Sequence, residues 1–277
     1  MIEKGAIFVA SGEKYVEEVR DSLKRLKSVM PEIEVTFYTD RNLDIPEADQ
    51  VIVEEDLDRD YSAKIKKMRE SPYDKTIFLD SEVKVEENFS EIFDVLEDFQ
   101  MAFSFKNGTI QGESVYGMGM SYNTGVIAYR DDDDVQNFFS DWLDAYRNER
   151  EEYHDQTTFF NEIVKSDIRY MTLPFEYNYR LQLPNMASGE VKIFHFRESE
   201  VSGLFFSPSS VDTLMRKVNS YMGRRVSYIK RGKIKLKTDY SRKERLSRVL
   251  SRIKKDGTKK TLIKAKRRIK SGEELFK

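Results

Sequence analysis

Short apolar runs, polar breaks and amphipathic stretches succeed one another from the start of the chain to Phe196. Ala6-Ile7-Phe8-Val9-Ala10 has the pattern of a buried strand and breaks at Ser11-Gly12, after which Val16, Val19, Leu23 and Leu26 share one helical face. Pro31 closes that unit, and Ile33-Glu34-Val35-Thr36-Phe37-Tyr38 alternates with the period of a strand that ends at Thr39-Asp40. Val51-Ile52-Val53 predicts a third strand, Tyr61 to Glu70 a short basic helix, and Lys75-Thr76-Ile77-Phe78-Leu79 a fourth strand stopping at Asp80. A helix around Ile92, Phe93 and Leu96 precedes a strand from Met101 to Phe105, and glycines at 108, 112, 117 and 119 mark Lys106 to Ser121 as a loop. Tyr122 to Tyr129 is strand-like. Two helices follow, one carrying Val135, Phe138, Phe139, Trp142 and Tyr146, the other running from Asp155 to Lys165. A strand from Lys192 to Phe196 closes the body.

The predicted architecture is therefore α/β, a Rossmann-like mixed sheet flanked by helices over residues 1–205, with a basic helical extension over 206–277. In the extension, Val211, Leu214, Val218 and Tyr221 suggest one helix, and Leu246, Val249, Leu250 and Ile253 form an apolar stripe on a second that ends near Gly257. In open sheets of this kind ligands bind beyond the carboxyl ends of the strands, where Ser11, Asp40 and Asp80 fall.

Composition narrows the chemistry. With 277 residues the chain approaches the size limit of a single core, and 39% hydrophobic residues suffice to fill one. The absence of cysteine excludes disulfides, thiolate metal sites and a cysteine nucleophile, and only His154 and His195 offer imidazoles. The chain lacks an apolar run of membrane-spanning length, and charges at Glu3, Lys4, Glu13 and Lys14 lead to the expectation that Met1 to Glu18 is not a signal peptide. A cytoplasmic location is expected. The net charge of -2 hides a division: residues 216–277 hold 24 basic against 5 acidic residues, leaving 23 against 44 for the rest.

Phe78-Leu79-Asp80-Ser81-Glu82-Val83 is the strongest local feature. Two carboxylates at a strand mouth offer hard oxygen ligands to Mn²⁺ or Mg²⁺, an ion that bridges naturally to nucleotide phosphates. Such pairs also arise without a metal in acidic chains. His195, ending another predicted strand, offers a third ligand or else a structural hydrogen bond. The run Asp131 to Asp134 is read as the acidic opening of a helix rather than a metal site, and His154 is given no role.

The order of these motifs resembles the nucleotide-sugar transferases of glycosyltransferase family 8, the glycogenin and bacterial galactosyltransferase type with the GT-A fold. The resemblance covers residues 5–200 and rests on Val9-Ala10-Ser11-Gly12 with Tyr15, Lys64 before Ser71-Pro72-Tyr73, and Phe78-Leu79-Asp80-Ser81-Glu82. It continues through Tyr122-Asn123-Thr124-Gly125-Val126, Asp155-Gln156, Leu173-Pro174-Phe175-Glu176-Tyr177-Asn178 and Ile193-Phe194-His195-Phe196. It implies a metal-assisted hexosyltransferase that uses a nucleotide-diphosphate sugar, UDP favoured, with retention of configuration. By the same resemblance Val9, Ser11 and Tyr15 line the base pocket, Lys64 approaches the diphosphate or sugar, and Asn123 touches the sugar. Asp80, Glu82 and His195 hold Mn²⁺ or Mg²⁺, Asp80 also contacts the donor, and Asp155 and Gln156 orient the sugar.

The chain departs from the family pattern at Glu82, which replaces the usual second aspartate, and after His195, where Phe196-Arg197-Glu198-Ser199 stands in place of a run ending Lys-Pro-Trp. Arg197 is the available cation there, and Glu113 is the acid available in the glycine-rich loop. The acceptor class is open among glycans, lipid-linked acceptors and proteins. For the basic stretch 242–270, a peripheral anionic membrane surface ranks first, docking on the acidic body second and nucleic acid last. Competing readings are a nucleotide-sugar-binding protein without turnover, a basic-tailed scaffold that binds polyanions, and a nucleotidyltransferase.

Overall fold

A computed structural model of the chain describes residues 2–107, 120–149, 154–181, 183–202, 210–220, 223–230 and 233–238. β1 (Ile2–Ala10), α1 (Glu13–Val29), β2 (Glu34–Thr39), β3 (Gln50–Val53), α2 (Ser62–Arg69) and β4 (Tyr73–Leu79) form the first half in the expected order. They are followed by β5 (Val83–Val85), α3 (Glu91–Asp98), β6 (Met101–Asn107), β7 (Met120–Arg130), α4 (Asp133–Glu149), α5 (Asp155–Ile163) and β8 (Tyr170–Leu173). The last described part comprises β9 (Asn185–Ala187), β10 (Ile193–His195), α6 (Glu198–Ser202), α7 (Ser210–Asn219), β11 (Arg225–Lys230) and β12 (Lys233–Thr238).

Seven strands make the main sheet in the order β3-β2-β1-β4-β7-β6-β8, with β7 antiparallel to both neighbours and the other pairs parallel. Both faces are covered, which is why the central strands read as unbroken apolar runs. Phe8, Ile77 and Leu79 join Val16, Val19, Leu23 and Leu26 of α1 and Ile92, Phe93 and Leu96 of α3 on one face. Ile7 and Phe78 join Ile65 and Met68 of α2, Phe138 and Trp142 of α4 and Phe159 of α5 on the other. The carboxyl ends of β1, β2 and β4 and the start of β7 thus meet at one edge, and the strand order reverses between β1 and β4.

Three parts were not visible in the apolar pattern. β6 and β7 run past the expected ends, to Asn107 and from Met120, because Lys106 and Ser121 lie buried in the ladder despite their polarity. The rest of that loop, with Glu113, lies outside the described residues. The short antiparallel pair β5–β10 places His195 opposite Val83, one residue from Glu82. Beyond residue 205 the chain is not helical throughout: β11 and β12 form a hairpin that pairs with β9. Its alternation of Lys233, Ile234, Lys235, Leu236 and Lys237 has the strand period, masked in sequence by the charge of the segment. Ile234 and Leu236 pack against a third cluster that joins Tyr179 and Phe194 of the body to Val211, Leu214 and Val218 of α7. The apolar stripe of Leu246 to Ile253 and the basic stretch 242–270 lie outside the described residues.

Candidate active site at the sheet edge

The turn after β4 is tight: the Val83 amide donates to the Asp80 carbonyl at 3.3 Å, and the Asp80 amide donates to Gly125 O at 2.9 Å. Ser22 of α1 braces it from beneath, its buried hydroxyl 2.7 and 2.6 Å from the carbonyls of Ser81 and Val83. The turn brings the two carboxylates together, and β10 brings the imidazole to them. His195 Nε2 is 3.7 Å from Asp80 Oδ2 and 3.4 Å from Glu82 Oε1, and one donor atom from each of the three residues lies within 4.8 Å of the others.

These donors fit a divalent cation. Ligands at about 2.1 Å from one octahedral ion stand about 3–4 Å apart, and two carboxylate oxygens with one imidazole suit Mn²⁺ or Mg²⁺. The longer Glu82 reaches the cluster through the β5–β10 pairing. Gly125 makes the packing feasible: a Cβ there would lie 2.1 Å from His195 Cε1 and 2.6 Å from Asp80 Oδ2. The electrostatics are uneven. Burial, reinforced by Glu82, raises the Asp80 pKa against the pull of Lys64 and His195. For Glu82 burial is outweighed by His195 and by Arg197, whose Nη2 is 3.3 Å from Oε2, and its pKa is lowered.

Beside this cluster lies a second, fully buried one. Lys64 of α2, 7% exposed, places Nζ 2.5 Å from Asp155 Oδ2 and 3.7 Å from Asp80 Oδ1, so it joins the two. The Thr124 hydroxyl donates to the same Asp155 oxygen at 2.5 Å. Asp155, 1% exposed, has no hydrogen-bond partner for Oδ1 among the described residues. Trp142 of α4 fixes the start of α5 by donating Nε1–H to the Asp155 carbonyl at 3.1 Å. Burial works against the charge of Lys64, but Asp155 and Asp80 raise its pKa all the same. Asn123 and Asn178, both buried, fill the space between the clusters: Asn123 Nδ2 donates to Gln156 Oε1 at 3.2 Å, and Asn178 lies 2.9 Å from His195 Nδ1.

At the end of β1, Gly12 takes a left-handed φ of 88°, and the Asp40 carboxylate of β2's end accepts from the Gly12 amide and the Ser11 hydroxyl, both at 3.0 Å. Those bonds hold the Asp40 pKa down in spite of desolvation. Tyr15, 39% exposed, is covered by the Arg197 guanidinium at 5.1 Å from its ring centre, while Val9 packs partly buried against the second core face. Every predicted site residue thus lies at or near one edge, in three groups: Asp80, Glu82 and His195; Lys64, Asn123, Asp155 and Gln156; and Val9, Ser11 and Tyr15. The sequence reading placed Asp40 at this edge without giving it a role, and gave none to Thr124. Asp40 carried the same signal as Asp80, a carboxylate directly after an apolar strand, whereas nothing in the sequence marks Thr124 as the partner of Asp155.

A mixed sheet whose parallel strands reverse their order between β1 and β4, with an acidic, cation-fitting cluster at the carboxyl edge, puts these residues where open α/β sheets bind ligands. The sequence profile of the nucleotide-diphospho-sugar transferase family matches residues 76–219, and the chain belongs to that family. Its fold is that of GT-A glycosyltransferases. The glycosyltransferase GlyE of Streptococcus pneumoniae TIGR4 superposes with a TM-score of 0.55 at 13% identity, covering 80% of this chain; this chain spans 61% of the GlyE structure. The galactosyltransferase LgtC, in complex with donor and acceptor sugar analogues, superposes at 0.51 and 13% identity over 78% of this chain and 95% of its own. Mouse xyloside xylosyltransferase 1 gives 0.51 at 12% identity over 72% and 99%. No curated protein sequence matches the chain significantly. Among the described residues no helix is long and apolar enough to cross a membrane.

Proposed function

We propose that this chain is a metal-assisted glycosyltransferase that moves a sugar from a nucleotide-diphosphate donor, UDP favoured, to a glycan, lipid-linked or protein acceptor with retention of configuration. The observation that carries the reading is the convergence of Asp80, Glu82 and His195 at the strand-order reversal, next to a buried acid with a free acceptor oxygen. Asp80, Glu82 and His195 hold Mn²⁺ or Mg²⁺. Bound there, the ion would supply positive charge to the diphosphate of the donor.

The residues of the chain do the rest. Val9, Ser11 and Tyr15 border the base, with Asp40 fixing the turn at Ser11-Gly12. Lys64 sits between Asp80 and Asp155, where its ammonium offsets negative charge gathering at the leaving group. Asp155 Oδ1 accepts a hydroxyl of the sugar, and Gln156 and Asn123 orient the ring beside it. Positive charge that develops on the sugar ring is then met by the Asp155 carboxylate and the Gln156 amide dipole. Arg197, on Glu82 and over Tyr15, is the cation nearest the place where the family pattern has a lysine. The basic stretch 242–270 contacts an anionic membrane surface on the cytoplasmic side, holding the enzyme near its acceptor.

The test is release of nucleoside diphosphate from UDP-, GDP- and CDP-sugars with Mn²⁺ present or chelated. Release from one nucleotide class, dependent on Mn²⁺ and reduced to background by Asp80→Ala, is expected. Mn²⁺-dependent binding without release would overturn the catalytic part and leave a nucleotide-sugar-binding protein. Neither binding nor release would overturn the whole reading.

A further inference from the structure

The buried amides between the two clusters form a hydrogen-bond chain whose direction is fixed at one point. The Gly125 amide donates to Asn123 Oδ1 at 3.0 Å, and a backbone N–H can only donate. The orientation of the Asn123 side chain, which hydrogen bonding alone must assign, is thereby settled, because the reversed amide would set two donors against each other. Asn123 Oδ1 also receives Asn178 Nδ2 at 2.7 Å, so Asn178 turns Oδ1 away from it and towards His195 Nδ1, 2.9 Å distant. An amide oxygen accepts only, so Nδ1 must carry the hydrogen. In the neutral imidazole the other nitrogen, Nε2, then keeps its lone pair, and Nε2 is the atom that lies 3.7 Å from Asp80 and 3.4 Å from Glu82. At the other end Asn123 Nδ2 donates to Gln156 Oε1 at 3.2 Å.

We propose that Asn178 and Asn123 are positioning residues that set the tautomer of His195, presenting the Nε2 lone pair to the space between Asp80 and Glu82, and that the same chain of amides fixes the orientation of Gln156. His195 and Asn178 are 2% and 1% exposed, so water does not replace either partner freely. Partners of this kind raise the basicity of a metal-bound histidine and hold its ring, and losing one costs about 10–100-fold in metal affinity. The inference rests on the metal reading of the site for its purpose; in the metal-free protein the amide chain fixes the hydrogen on Nδ1, and Nε2 keeps its lone pair only on the neutral ring.

The experiment is long-range ¹H–¹⁵N correlation on the metal-free chain over a pH series, with His154→Gln used to assign the two imidazoles, together with Mn²⁺ titration of wild type, Asn178→Asp and Asn178→Leu. The wild type is expected to show a protonated Nδ1 and an unprotonated Nε2 on the neutral His195 ring. Asn178→Asp keeps an acceptor for Nδ1–H but sets a second acceptor against Asn123 Oδ1, so it should retain the tautomer while loosening the hold on Asn123 and Gln156. Asn178→Leu should bring in the Nε2–H form and lose about 10–100-fold in affinity. A protonated Nε2 in the wild type overturns the proposal, as does an unchanged tautomer in Asn178→Leu. Where Asn178→Leu does not fold, the wild-type spectrum and Asn178→Asp decide. The expected tautomer in a wild type that binds no Mn²⁺ supports the relay and overturns the metal reading instead.

Discussion

The two charged clusters at the sheet edge share Lys64 but balance their charges in opposite ways. Asp155, 1% exposed, is matched by the ammonium of Lys64 at 2.5 Å, so its charge is balanced within the chain while Oδ1 keeps no hydrogen-bond partner among the described residues. Asp80 and Glu82, 25% and 13% exposed, face the His195 imidazole, and Arg197 reaches the far oxygen of Glu82 while also pairing with Glu18. One cluster is therefore a built-in part of the fold. The other brings two carboxylates together without a matching internal cation for each, the arrangement that the proposed metal would complete.

The largest effect expected from breaking this contrast is on Lys64. Lys64→Met leaves the Asp155 carboxylate buried without its counter-ion and should cost about 3–5 kcal/mol of stability in urea denaturation. The double variant Lys64→Met with Asp155→Asn should recover much of that loss, because it removes both charges. Gly125→Ala comes next. Its new methyl must displace His195 or Asp80, costing about 1–3 kcal/mol and abolishing Mn²⁺ binding in a titration of the folded variant. On the other side of the contrast, Asp80→Asn should leave metal-free stability unchanged within about 1 kcal/mol, since it removes a buried charge next to Glu82, while nucleotide binding loses its response to Mn²⁺. The smallest effect is expected for Ser11→Ala, which removes one hydrogen bond to Asp40 and should cost about 1 kcal/mol with Mn²⁺ binding intact.

The two clusters also differ in how far the sequence reveals them. Asp80 and Glu82 follow a continuous apolar strand, and the strand ends are where a doubly covered sheet gathers polar groups, so local pattern sufficed. His195 was visible for the same reason, although its meeting with Glu82 depends on the three-residue pair β5–β10, too short to leave a periodic signal. The lysine cluster is different in kind. Lys64, Thr124 and Asp155 come from a helix, a strand and another helix far apart in sequence, and their burial contradicts their polarity. Only the packed structure shows that they satisfy one another. The same holds for the Asn123–Asn178 chain, in which each residue alone reads as a turn or strand-end hydrogen-bonder. The hairpin of β11 and β12 was hidden by composition, its strand alternation overlaid by lysines in a segment read for its charge.

The most direct measurement is a titration of Mn²⁺ by electron paramagnetic resonance, with and without UDP, on the wild-type chain and on Asp80→Ala, Glu82→Ala and Ser11→Ala. The account predicts a single Mn²⁺ site that tightens when UDP is added, disappears in Asp80→Ala and Glu82→Ala, and persists in Ser11→Ala. Mn²⁺ binding that is equal in the wild type and both carboxylate variants would contradict it.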